Sequence, residues 1–146
     1  MLLVFKDGRY KVIELSEKLF VGQDLIFAGA PDRDRVFTVA YSTKEATWMK
    51  RITFGGTILN KEYQLCPEPK SKILLFEPDT PEQVYIRYKP APYQRVTQQT
   101  AKPSELALKP AKARGNQVSI KDVASITSKP PRGWDAQEGT TALKFL

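Results

Sequence analysis

I-L-L-F-E-P-D-T-P-E-Q-V-Y-I-R-Y-K, residues Ile73 to Lys89, is the stretch whose reading decides the fold. Ile73 to Phe76 is a short apolar run, and Pro78, Asp79 and Pro81 interrupt it. From Val84 the chain alternates, with Val84, Ile86 and Tyr88 facing one way and Tyr85, Arg87 and Lys89 the other. Successive side chains of a strand point to opposite faces of a sheet, so this period of two marks a strand with one buried side. Two such runs joined by a loop of turn-forming residues predict an antiparallel hairpin.

The same plan recurs upstream. Leu2 to Phe5 and Arg9 to Leu15 flank Lys6-Asp7-Gly8, and Asp-Gly between strand-like runs is a strong hairpin signal. Tyr10 and Val12 share one face of the second run, Arg9 and Lys11 the other. Leu19 to Phe27 reads as a further strand pivoting on Gly22. Val36 to Tyr41 alternates around Phe37, Val39 and Tyr41, Ser42 to Thr47 turns the chain, and Trp48 to Phe54 returns until Gly55-Gly56 ends it. The return run is mixed, because Lys50 shares a face with Trp48, Ile52 and Phe54, which leaves its buried side open. Leu59 to Leu65 is a short strand or loop.

Hairpins starting at Leu2, Val36 and Ile73, with a fourth start at Val118 beyond the connector Pro90 to Pro103, predict a radial or solenoid all-β array with one blade per repeat. The alternative is an all-β protein with irregularly spaced hairpins. Eleven prolines and eight glycines in 146 residues favour strands and turns, and almost no helix is expected. Residues 1–134 form one domain on this reading, with 135–146 a tail or the start of a further strand.

Charge divides the chain. Residues 1–82 are neutral overall, whereas residues 83–134 carry ten basic side chains against Glu105 and Asp122, and the whole chain carries +7. A step of that size points to an anionic partner, nucleic acid before membrane, since no amphipathic helix accompanies it. K-P-A-K-A-R-G-N-Q-V-S-I-K-D-V, from Lys109 to Val123, reads as a basic turn at Gly115-Asn116 feeding a half-buried strand at Val118 and Ile120. The expected DNA-contacting set is Arg87, Lys89, Arg95, Lys109, Lys112, Arg114 and Lys121, with Lys50 and Arg51 on the second hairpin. Spread over strands and turns, these residues suit a phosphate backbone and lack a recognition helix, so the expectation is duplex binding independent of sequence. Trp48, Tyr85 and Trp134 are read as packing residues before base-stacking ones.

Catalytic constellations are missing from the sequence. It has no histidine, hence no Ser-His or Cys-His pair, and no glycine-rich phosphate loop. Asp32 and Asp34, interleaved with arginines, read as a solvated loop rather than a metal site. Cys66 stands alone, a packing residue that implies a reducing compartment. Lys6 and Asp7 break the first apolar run too early for a signal peptide or membrane span, so a cytoplasmic location is expected.

Five segments also carry a resemblance: G-R-Y-K-V-I-E-L-S-E-K-L-F-V-G-Q-D-L (Gly8 to Leu25), M-K-R-I-T-F (Met49 to Phe54), N-K-E-Y-Q-L (Asn60 to Leu65), S-K-I-L-L-F (Ser71 to Phe76) and R-G-N-Q-V-S-I-K-D-V (Arg114 to Val123). In order and spacing they resemble the C-terminal domain of the A subunit of bacterial type IIA DNA topoisomerases, the gyrase and topoisomerase IV group. The resemblance implies a β-pinwheel, a propeller-like ring of hairpin blades whose basic rim bends or wraps double-stranded DNA. With about five or six blades usual in the family and three or four starts here, it implies a partial ring and a larger subunit. It implies as partners a separate cleavage core, to whose tyrosine and arginine no position here corresponds, and an ATPase-bearing B subunit. No cofactor belongs to this chain on that reading, the ATP and magnesium of the holoenzyme being used elsewhere. Gyrase A subunits resemble one another in a Q-R-R-G-G-R-G box. The nearest stretch here, Lys112 to Gln117, has one arginine and one glycine, which implies bending without stable wrapping. Two readings of other classes stand beside this one: a β-rich module binding an acidic partner protein, and an enzyme using a lysine or tyrosine.

Overall fold

The computed structural model describes residues 1–14, 24–55, 57–68, 70–92, 95–132, 134, 140–143 and 145. Gly8 turns the chain between β1 (Leu2–Phe5) and β2 (Arg9–Val12) with φ 91°, a conformation that costs glycine little. A Cβ at Gly8 would also stand 2.5 Å from Gln64 Oε1. The pair is antiparallel, in the register Leu2↔Val12 and Val4↔Tyr10. β3 (Leu25–Gly29) lies outside β1, and β6 (Tyr63–Gln64) outside β2.

The second sheet grows from the hairpin of β4 (Phe37–Ser42) and β5 (Thr47–Thr53), closed where Thr43 N–H donates to Ala46 O at 2.8 Å. β7 (Lys72–Pro78) pairs with β4. β10 (Leu108–Pro110, parallel) and β11 (Asn116–Ser119, antiparallel) both pair with the far edge of β5. In the third sheet β8 (Val84–Tyr88) and β9 (Gln98–Ala101) are central, with β12 (Val123–Thr127) outside β8 and β13 (Thr140–Leu143) parallel to β9. The strand orders are β3-β1-β2-β6, then β10-β5-β4-β7 with β11 also on β5, then β12-β8-β9-β13.

All-β is therefore the architecture, with one 3-10 turn at Pro103–Glu105 and no α-helix among the described residues. The hairpins expected at Leu2 and Val36 form. The one expected over Ile73 to Lys89 does not: both strands exist, but β7 joins the second sheet and β8 the third. The loop between them explains the split. Asp79 takes φ 65°, its N–H donates to Val36 O at 2.6 Å, and its carbonyl accepts from Thr38 Oγ1 at 2.9 Å. The chain leaving β7 is thus held against β4 and released toward a new sheet. Val118 likewise starts no hairpin, because β11 pairs with β5 and β12 with β8. Leu15, Leu19 to Gly22 and Gly56 lie outside the described residues; Leu25 to Phe27 fall in β3.

Sheets are completed by exchange. After β5 the chain returns to the first sheet for β6 before adding β7 to its own, and after β9 it returns to the second for β10 and β11 before adding β12 to the third. The second sheet lies between two cores. Phe37, Val39, Tyr41 and Ile52 pack with Leu2, Val4 and Tyr10 of the first sheet, while Ala40, Met49 and Leu75, on the other side, pack with Val84, Ile86 and Ile126 of the third. β4 is accordingly buried on both faces from Phe37 to Tyr41. That settles the mixed run of β5, both of whose faces are covered. Rings join the first core closely, with Phe37 and Phe76 stacked at 5.1 Å and Tyr10 edge-on to Phe54 at 4.8 Å.

Candidate nucleic-acid interface

The turn from β10 to β11 is built around glycine, though not for the reason its sequence suggests. Among the described glycines positive φ occurs at Gly8 and not at Gly115. Gly115 is buried because backbone passes close by: a Cβ there would lie 2.9 Å from Met49 O. Its N–H donates to Tyr41 Oη at 3.0 Å. Lys109 closes the turn from outside, its Nζ donating to Arg114 O at 3.0 Å and to Asn116 Oδ1 at 2.8 Å.

Lys50 closes it from inside, and this corrects its place in the expected DNA-contacting set. The side chain is 0% exposed, and Nζ donates to Leu65 O at 2.5 Å, Ala111 O at 2.7 Å and Ala113 O at 2.7 Å. Three carbonyls use all three N–H donors of an ammonium, so no donor is left for a phosphate. Burial pulls the ammonium down to about 8, opposed by the nearby Cys66 and Glu68. The carbonyls favour the charged form, and the site is shaped for it. Arg51 is half-buried, with Nε and Nη2 both donating to Leu106 O at 2.9 and 2.6 Å. Cys66 is 1% exposed, and burial pushes its thiol up to about 11, as suits a packing residue.

Five outward-facing cations gather around the β4–β5 turn, Thr43 to Ala46. On one side Thr43, Lys44, Glu45, Glu68, Lys70 and Arg114 line a groove. Arg114 Nε sits 2.9 Å from Glu68 Oε1, with the arginine side chain 67% exposed and the glutamate 13%, and its guanidinium lies over Trp48 at 5.6 Å. On the other side the same turn forms a second groove with Lys89, Ile120, Lys121 and Asp122. Lys121 Nζ lies over Tyr88 at 5.4 Å, and Lys89 N–H donates to Asp122 O at 2.9 Å. Arg114, Lys121 and Lys89 of the expected set are thus brought together, joined by Lys44 and Lys70. Those two were missed because Lys44 precedes Glu45 and Lys70 follows Glu68 closely, inside the electrically neutral half; charge counting along the sequence hides them.

Other expected residues lie apart from these grooves. Lys112 is exposed with Nζ over Tyr63 at 4.4 Å, Arg95 is exposed before β9, and Arg87 lies over Trp134 at 5.8 Å. Trp134 packs edge-on against Tyr85 at 5.1 Å, and Trp48 Nε1 donates to Thr43 Oγ1 at 3.3 Å; both are packing residues as expected. Asp32 accepts the Asp34 N–H at 2.9 Å within its loop. No helix among the described residues is long and apolar enough to cross a membrane.

Arg114 and Lys121, two of the five groove cations, are held over aromatic rings and can meet anionic oxygens without first being ordered. A family model described as the topoisomerase C-terminal domain of Bacteroidota matches residues 1–130. No curated protein matches the chain.

Proposed function

The chain belongs to the topoisomerase C-terminal domain family of Bacteroidota, and from that premise we propose that it is a non-catalytic, sequence-independent duplex DNA-binding domain of a type II topoisomerase A subunit. It bends DNA for the ATP-dependent changes of topology carried out by a separate cleavage core and B subunit. The observation that carries this reading is the gathering of Lys44, Lys70, Lys89, Arg114 and Lys121 in two grooves around one turn. These residues come from distant parts of the sequence, and the regular exchange of strands between successive sheets is what assembles them. It is also the reason to describe the sheets as blades of a β-pinwheel. Exposed lysines and arginines on strand ends and turns meet the phosphate backbone and leave base edges unread.

A salt titration against duplexes of unrelated sequence tests the proposal. Phosphate neutralisation gives a log–log slope of about −0.9 per contact, so changing Lys70, Lys89, Arg114 and Lys121 together to Gln flattens the slope by up to roughly three to four units, alike for every duplex. An unchanged slope places the DNA elsewhere. Failure of the unaltered chain to bind duplex favours the acidic-protein partner.

A further inference from the structure

Ile120 is the one residue of the basic turn that the duplex-binding reading leaves unexplained. Period-two alternation puts it beside Val118 on a buried face, yet Val118 is 6% exposed and Ile120 76%, the most exposed large apolar side chain among the described residues. A bulge causes the reversal: the β11–β5 register shifts between Gln117 and Ser119, and the chain leaves the sheet with Ile120 pointing out. The tip is fixed in that attitude. Lys121 N–H donates to Ser119 Oγ at 3.0 Å, and Asp122 O accepts from Lys89 N–H at 2.9 Å. Of the four large apolar residues that are exposed among the described residues, Ile58, Leu59, Leu108 and Ile120, only Ile120 lines these cationic grooves. It also lines the neighbouring depression formed by Lys89, Pro90, Ala91, Lys121 and Asp122.

We propose that Ile120 is a wedge that enters a base step of bound duplex DNA from the minor groove, with Lys89 and Lys121 holding the phosphates on either side, and that this insertion produces the bend. The inference rests on the duplex-binding reading and deepens it. An aliphatic side chain between base pairs unstacks the step and kinks the duplex toward the major groove. Burying the isoleucine offsets part of the unstacking cost. The lysines give the tip the charge that an apolar tip offered to a protein core would lack.

The test uses the whole chain and a G·C-rich duplex with one central TA step, the step most easily unstacked, carrying 2-aminopurine there and a FRET pair at its ends. Binding is expected to raise 2-aminopurine fluorescence and bring the ends together. Ile120→Ala and Ile120→Ser, at an exposed position where folding is not at stake, are expected to abolish both signals. They are expected to keep the salt slope and weaken the Kd by less than about tenfold. Ile120→Phe is expected to keep both signals. Undiminished unstacking and bending by Ile120→Ala overturns the wedge, and so does a chain that binds with a steep salt slope but gives no fluorescence rise. The latter result leaves duplex binding standing, whereas no binding at all overturns both.

Discussion

Lys50 and Arg114 carry the same charge and differ in every consequence of it. Nζ of Lys50 serves three backbone carbonyls and is wholly covered. Lys50→Met is expected to lower the unfolding free energy by about 3 to 5 kcal/mol, since it strips donors from buried acceptors. Urea unfolding measures this, and a loss below about 1 kcal/mol would show that the carbonyls find other donors. Arg114 is instead partly neutralised by Glu68. Glu68→Gln keeps the shape and removes that charge, so duplex affinity is expected to rise and the salt slope to steepen by up to about one unit. An unaltered slope would mean that Arg114 does not reach phosphate. Alkaline pH sets the buried groups against one another. The Cys66 thiol, ordinarily at 9.0 and pushed up to about 11 by burial, stabilises the fold fully below pH 9 and loses that contribution as the pH rises toward 11. Tyr10 behaves likewise between 10.0 and about 12. Lys50 runs the other way, adding stability between about 8 and 10.5 as the unfolded chain holds its proton longer. Stability is therefore expected to rise from about pH 8 to 9, to level off toward 10 as the thiol offsets the lysine, and to fall above about 10.5, with a shallower fall in Cys66→Ala. Equal pH slopes in the two proteins would rule out thiol burial as a cause.

At the scale of elements the informative strands are those that leave their neighbour in sequence. β7 and β8 are joined by a short loop and lie in different sheets, because Asp79 is tied to Val36 and Thr38. Cross-strand NOEs are expected between Tyr41 and Ile73 and between Tyr85 and Thr100, with no ladder between β7 and β8. A β7–β8 ladder would refute the exchange of strands. The β10–β11 turn rests on close backbone approach at Gly115, so Gly115→Ala, which sets a methyl 2.9 Å from Met49 O, is expected to cost about 1 to 3 kcal/mol in urea unfolding. A neutral outcome would show that β11 can move away from β5.

At the scale of the whole molecule, the grooves hold five cations against Glu45, Glu68 and Asp122. One exposed arginine at the basic turn offers a single bidentate phosphate clamp, where a box of three arginines would offer three. On the proposed duplex-binding reading, bending without stable wrapping is therefore expected. Joined to the cleavage core and B subunit proposed for it, the domain is expected to support relaxation or decatenation better than negative supercoiling. Topology assays with and without the domain check this, and strong ATP-dependent negative supercoiling abolished by Arg114→Gln would contradict it.

The all-β class, the hairpins at Leu2 and Val36 and the strand at Val84 were legible in the sequence because alternation and Asp-Gly turns are local properties of a few consecutive residues. So was the excess of cations after residue 82, and with it the expectation of an anionic partner. Which strand pairs with which was not legible, since the ties of Asp79 to β4 and of Gly115 to Tyr41 join residues far apart in the chain. Nor was the fate of each cation. Lys50 and Arg51 are adjacent basic residues on one strand, and carbonyls delivered by other segments decide their fates: those of Leu65, Ala111 and Ala113 hold Lys50 inside, and that of Leu106 engages a half-buried Arg51. Lys44 and Lys70 face the same groove as Arg114 only because β11 returns to β5. Charge is a property of composition, but exposure and proximity arise from packing, and the tertiary structure alone decided which of these charges a polyanion can reach.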